Sequence, residues 1–223
     1  MISSVRIVGS GLIGTSIGLC LKASGINVEM VDIDPNTAKL AQDLVKSTPI
    51  STPDLIIVAV SIDANQNEVI KQLNANQSSI VCDLASVKSD LLLKVAELSD
   101  NAANFVSLHP MAGREMSGAQ SARADLFTGR AWIAIDENKS SKKAKEIASE
   151  LISICGGSVY WMSASEHDEI VAKISHIPQI LSTALAASLL NVSEEKLNLS
   201  GQGLRDLTRL ADADSKLWSQ ILL

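Results

Sequence analysis

The stretch Val5-Arg6-Ile7-Val8, followed by Gly9-Ser10-Gly11-Leu12-Ile13-Gly14, constrains this chain more than any other feature. A short β-branched run ends in a Gly-x-Gly-x-x-Gly turn. Residues of helical character then run to Lys22, where Ser24-Gly25 supplies a stop. A second strand, Asn27 to Val31, ends in Asp32, at about the 20-residue spacing that a dinucleotide fingerprint asks for. Each glycine has a physical task in that reading. Gly9 makes the tight turn, Gly11 lets backbone N–H groups approach a pyrophosphate, and Gly14 allows the helix to pack closely on the sheet. The helix N-terminus, with Leu12 and Ile13 in its first turn, adds partial positive charge.

Asp32 also bears on which dinucleotide is bound. Its carboxylate can accept hydrogen bonds from both hydroxyls of the adenosine ribose. A 2′-phosphate in the same place would meet like charge, at a cost on the order of 1 to 4 kcal/mol. Ile33 and Asp34 bring no arginine to offset it. NAD is the expected cofactor.

Beyond Asp32, strands and helices alternate. The residues 36–47 are helical in pattern, 54–60 (DLIIVAV) form a strand, and a polar helix covers about 64–73. The strand SSIVCD, the helix KSDLLLKVAEL, the strand NFVSL, the strand RAWIAI, a Lys/Ala helix over 142–154 and the strand SVYWM follow. Strands this apolar, separated by helices, imply an α/β doubly wound, Rossmann-type, mostly parallel sheet covered on both faces. From Ser163 the pattern becomes helical throughout, with Ser163 or Ser165 as N-cap and a kink expected at Pro178. The expected domains are therefore 1–162, binding the dinucleotide, and 163–223, a short all-helical substrate and dimerisation piece.

Charge and composition exclude several classes. The net charge of −6, with no Lys/Arg block, argues against nucleic acid. Cys20, Cys82 and Cys155 are odd in number and lack metal spacing, so they read as reduced thiols, and no metal site is expected. No uninterrupted apolar run reaches the roughly 18 residues of a membrane helix. The glycines near the N-terminus count against a signal peptide. A soluble, cytoplasmic protein without membrane contact is expected.

In an open parallel sheet, ligands bind beyond the carboxyl ends of the strands. Gly9, Asp32, Ser61, Ser86 and His109 all lie just past such ends, which places them on one rim. His109, stopped by Pro110, is either a turn histidine or a base facing the nicotinamide, and the rim favours the base. His167 falls in an acidic first turn and is expected to be solvated, whereas His176 is the more inward of the two. In the last helical stretch Arg205, Asp206 and Arg209 stand at helical spacing. They read either as an Asp-braced arginine for a carboxylate or as a surface salt-bridge ladder. Trp218 alone reads as core.

Together, GSGLIGTSIGLCLKASG, VDIDP, DLASVKSDLL, HPMAGRE, HDEIVAKISHIPQ and GLRDLTRLADADSKLW occur in the order seen in prephenate and arogenate dehydrogenases of tyrosine biosynthesis. The chain resembles that family over nearly all its length. The resemblance implies an NAD(P)-dependent oxidative decarboxylation of prephenate or arogenate, carried out by a homodimer. It implies that His109 removes the proton of the ring C4 hydroxyl and that Ser86 orients the group beside it. Arg209, braced by Asp206, would hold a substrate carboxylate; His176 would line the pocket, with Trp218 on the same side. Glu115 would join a charge network at the entrance. The family continues for several helices beyond the position of Trp218, so the helical piece is expected to be short. The other readings are a nucleotide-binding remnant and another small reductase of the same layout.

Overall fold

A computed structural model describes residues 1–113, 116–136 and 139–222. Its backbone divides into two units, Met1–His167 and Asp168–Leu223.

The first unit is built on a seven-stranded sheet in the order β2-β1-β3-β4-β5-β6-β7. Its strands are β1 (Ser4–Val8), β2 (Asn27–Val31), β3 (Leu55–Val58), β4 (Ile80–Asp83), β5 (Phe105–Pro110), β6 (Ala131–Ile135) and β7 (Ser158–Met162). The first five pair in parallel, β6 runs antiparallel to β5, and β7 is parallel to β6. The strand order reverses between β1 and β3, and the glycine turn follows β1 at that switch point.

Because neighbouring residues of a strand face opposite sides, β3 feeds two cores. Leu55 and Ile57 join one cluster with Ile17 and Leu21 of α1 (Leu12–Ala23), Val45 of α2 (Pro35–Val45) and Leu151 of α5 (Lys142–Ile154). Ile56 and Val58 join the other, with Val69 and Leu73 of α3 (Ile62–Ala75) and Leu91 and Val95 of α4 (Ser89–Leu98). The sheet is covered on both sides, as the apolar strands require. All three cysteines are free and buried.

Two local expectations needed correction. Pro110 does not stop the strand before it: His109 and Pro110 both lie in β5, opposite Ile133 and Trp132 of the antiparallel β6. Proline is tolerated where its nitrogen has no ladder bond to give. The run Ala164–Ser188 is helical over 25 residues and contains an 18-residue window of mean hydropathy 1.2, so by length and composition alone it could cross a membrane. No uninterrupted apolar stretch revealed this, because Glu166, Asp168, Glu169 and Lys173 break up the beginning of the run. The C-terminal stretch is not one helix. It divides into α9 (Gln202–Thr208), a 3-10 turn (Arg209–Asp212) and α10 (Ser215–Leu222).

The second unit holds the rest of that long helix and the segments after it. The helix starts as α6 (Ala164–Val171), widens into a π turn (Ala172–His176) and continues as α7 (Ile177–Ser188). Pro178 is accommodated at the start of α7, with the irregular turn just ahead of it. A short α8 (Glu194–Leu197) precedes α9. Gln179 is buried and donates from Nε2 to the carbonyl of Leu210 at 2.8 Å, tying α7 to the 3-10 turn.

Candidate active site

The glycine turn is held in shape by its neighbours. Gly9 has a φ of +102°, and a Cβ there would lie 2.4 Å from the carbonyl oxygen of Ala59. A Cβ on Gly14 would lie 2.0 Å from the oxygen of Gly9, so helix α1 and the turn meet backbone to backbone. Gly11 is different: a Cβ there meets nothing within 4 Å. Gly11 is also the N-cap of α1, without a side-chain cap and without an acid in the first turn. Neither a side-chain cap nor a first-turn acid therefore competes for the first N–H groups of the helix, which suits a pyrophosphate.

Asp32 is braced from two sides. Its Oδ2 accepts from the backbone N–H of Ser10 at 2.6 Å, and its Oδ1 accepts from that of Asp34 at 3.0 Å. The carboxylate thereby couples the end of β2 to the glycine turn. Leu12 and Ile13 are half-buried in the first turn of α1, Ile13 packing on the core. Ser61 is the exposed N-cap of α3, beyond the end of β3. These residues fit a dinucleotide.

Further along the same rim lies a buried polar network. Asp83, the last residue of β4, is fully buried and pairs in register with Ser107 of β5. Its carboxylate accepts from Ser107 Oγ, from the N–H of Ala85 at 2.9 Å and from Lys88 Nζ at 2.9 Å. Lys88 is fully buried too and donates a second bond, at 2.7 Å, to the carbonyl of Leu108. The loop 84–88 carries Ser86, so it is pinned at both ends, once to β4 and once to the peptide that leads into His109. A buried ion pair contributes little net stability, but removing one partner is costly.

His109 is half-buried in β5, and its Nδ1 lies 2.9 Å from Nε2 of His167. His167 is fully buried, which corrects the expectation of a solvated side chain. The reason is helical phase: Ala164, His167 and Val171 are spaced i, i+3 and i+7, and all three are buried. The acids Glu166 and Glu169 occupy the other face and are exposed.

In the second unit the ring of His176 meets Trp218 edge-on, with centroids 5.9 Å apart and planes at 85°. Burial lowers the pKa of His176 below its ordinary value, against the opposing pull of Asp168. Asp206 and Arg209 are both exposed. The carboxylate of Asp206 accepts from Gln202 Nε2 at 2.7 Å, and the ion pairs of the described residues do not include Asp206 with Arg209. Glu115 lies outside the described residues. Among the described residues no group of three or more His, Cys, Asp or Glu side chains is placed to hold a metal ion.

Comparison with known proteins places the chain in a family. A profile of the prephenate dehydrogenase nucleotide-binding domain matches residues 17–161, and one of the prephenate dehydrogenase dimerization domain matches residues 163–223. The chain belongs to the prephenate dehydrogenase family. The probable prephenate dehydrogenase NovF of Streptomyces niveus is 32% identical over 220 residues, 97% of this chain and 61% of its own length. Prephenate dehydrogenase of Lactococcus lactis is 30% identical, over 98% of this chain and 64% of its own length. The chain thus spans less than two thirds of the curated relatives it matches. The crystal structure of Aquifex aeolicus prephenate dehydrogenase, in complex with hydroxyphenyl propionate and NAD+, superposes with a TM-score of 0.89 at 26% identity. That match covers 100% of this chain and 82% of the other.

Two residues of this rim, Asp83 and Lys88, had escaped the sequence reading, and His167 had been read as solvated. Signals existed for each. An acid closing the apolar strand IVCD, with a lysine five residues on, is an ion pair waiting at a strand end. His167 sits in phase with the apolar stripe of its helix, not with the acids beside it.

Proposed function

We propose that this chain catalyses the NAD-dependent oxidative decarboxylation of prephenate to 4-hydroxyphenylpyruvate, as a cytoplasmic homodimer in tyrosine biosynthesis. The observation that carries the reading is the shared rim: the open cradle at Gly11, the braced Asp32, the pinned Ser86 loop and His109 all follow carboxyl ends of neighbouring strands or lie at the end of one. Bound NAD would accept the C4 hydrogen of the substrate as hydride.

The chain's own residues do the remaining work. Gly11 and the first turn of α1 receive the pyrophosphate, with Leu12, Ile13 and Gly14 shaping that turn. Asp32 accepts from the adenosine ribose and disfavours a 2′-phosphate by like charge. Ser61 borders the cofactor on the next strand. His109 takes the proton of the C4 hydroxyl as the carbon–oxygen bond becomes a carbonyl, and the ring carboxylate leaves as CO2 as the ring becomes aromatic. Ser86 orients the reacting hydroxyl or the imidazole. In the helical unit Arg209, with Asp206 nearby in sequence, supplies a cation for a substrate carboxylate, and His176 and Trp218 supply pocket surface. Glu115 belongs to the same proposal through the family resemblance. The homodimer is supported by apolar side chains left bare on the helical unit, among them Leu181, Leu190 and Leu199.

The test is direct. NADH formation is followed with prephenate and, separately, with arogenate. Turnover of prephenate supports the reading, turnover of arogenate alone moves the substrate, and no turnover of either returns the chain to a nucleotide-binding protein.

A further inference from the structure

The contact between His109 and His167 asks for a proton inventory. Nδ1 of His109 and Nε2 of His167 are 2.9 Å apart, with ring centroids at 5.1 Å and planes at 56°. At that distance one hydrogen lies between two nitrogens, and it belongs to one ring or the other. If it sits on His167, the neutral His109 carries its own proton on Nε2 and has no lone pair there to offer. If it sits on His109 Nδ1, then Nε2 of His109 is a base.

The surroundings show why a histidine stands at this place. His167 shares its buried helical stripe with Ala164 and Val171, where an apolar side chain would serve packing equally well. A buried imidazole left without a bond would cost roughly 1 to 3 kcal/mol, so this one is retained for what it touches. Its position is fixed tightly. Ser163 caps helix α6 in a reciprocal box: Glu166 Oε2 accepts from the N–H and Oγ of Ser163 at 2.9 and 2.8 Å, and Ser163 Oγ accepts from the N–H of Glu166 at 3.3 Å. The N–H of His167 itself bonds to the carbonyl of Ser163 at 3.0 Å. The box sets the rotation of the helix, and with it the ring of the next residue.

We propose that His167 is the positioning residue of the reaction, accepting the Nδ1–H of His109 and so presenting His109 to substrate through a basic Nε2. The inference rests on the oxidative decarboxylation proposed above. His167 is then neutral, with its own proton on Nδ1 and its Nε2 lone pair turned to His109. The proton that His109 takes at Nε2 is the one lost from the C4 hydroxyl, and no further reactant enters. Once His109 is cationic, its bond to His167 becomes charge-assisted and about twice as strong as a neutral one. The interaction thus strengthens as the base does its work, which is the condition for lowering a barrier.

The chain has three histidines, so nitrogen-15 NMR of the labelled full chain resolves the tautomer of each. The expected spectrum has His109 protonated on Nδ1. In His167→Leu that population shifts toward Nε2–H. The turnover number of His167→Leu falls by roughly 10- to 100-fold, while KM for prephenate and for NAD stays within about twofold. His167→Gln offers an amide oxygen where Nε2 lay, and it recovers most of the turnover number. Three results would overturn the proposal: a wild-type His109 protonated on Nε2, an unchanged turnover number in His167→Leu, or equal losses in His167→Leu and His167→Gln. If wild-type chain oxidises neither prephenate nor arogenate, the proposed function fails. The nitrogen spectrum then decides by itself whether His167 holds that proton.

Discussion

The two units of this chain bury different things. In the sheet unit, buried charge is paired: Asp83 and Lys88 are both without exposure and satisfy each other and the backbone around them. In the helical unit the polar groups proposed to meet substrate, Asp206 and Arg209, are exposed, and so are large apolar side chains such as Leu181 at 65% and Leu199 at 86%. The sheet unit has two cores of its own, one on each face, whereas the helical unit leaves much of its apolar surface bare. The difference teaches where rigidity is built in. The groups proposed for proton transfer, which that role would hold to a fraction of an ångström, stand on strands and a capped helix. The groups proposed to select a charged substrate stand on short helical segments, where solvent screens them.

Substitutions can break or sharpen that contrast. The largest effect belongs to His109→Ala, which should lower the turnover number by about 10²- to 10⁴-fold with little change in the Kd for NAD measured by fluorescence titration. An equal loss of NAD affinity would make His109 structural. Next comes Lys88→Met, which strands the carboxylate of Asp83 in the interior. Urea unfolding should show a loss of about 3 to 5 kcal/mol. A loss below about 1 kcal/mol would mean that the sheet unit relaxes as freely as the helical one.

Arg209→Ala is the counterpart on the other side. An exposed cation is worth about 1 kcal/mol, so KM for prephenate should rise about fivefold with the turnover number unchanged. A hundredfold rise in steady-state KM would show that Arg209 works desolvated, and the contrast would fail. The smallest effect is that of pH on His176. Its pKa in the folded chain lies below the ordinary 6.5. The unfolded state therefore binds its proton first, and folding stability falls as pH drops below 6.5 toward the folded value. His176→Asn should flatten that part of the stability profile in denaturant titrations at several pH values.

Much of the sheet unit was readable residue by residue. The spans of β2, α5 and β7 follow from apolar runs bounded by turn residues, and the glycine turn, Asp32 and the rim position of His109 follow from spacing. All of this depends on local propensity and on the period of the apolar pattern, which adjacent residues carry among themselves. The antiparallel turn of β6 was not legible, because an apolar strand reads the same in either direction. Nor was the end of α9 at Arg209, where two helix types of similar composition meet.

By itself, then, the sequence determined the dinucleotide cradle, the alternation that makes a covered sheet, and the presence of a histidine at a strand's carboxyl end. Only the tertiary structure decided which charges are buried together and which ring stands beside that histidine. Lys88 reaches Asp83 and the Leu108 carbonyl, and His167 reaches His109 across 58 positions of chain. The physical reason is range. Helix and strand periods are set by neighbours a few residues apart. The desolvation that forces a charge or an imidazole to find a partner exists only after distant segments have closed over it.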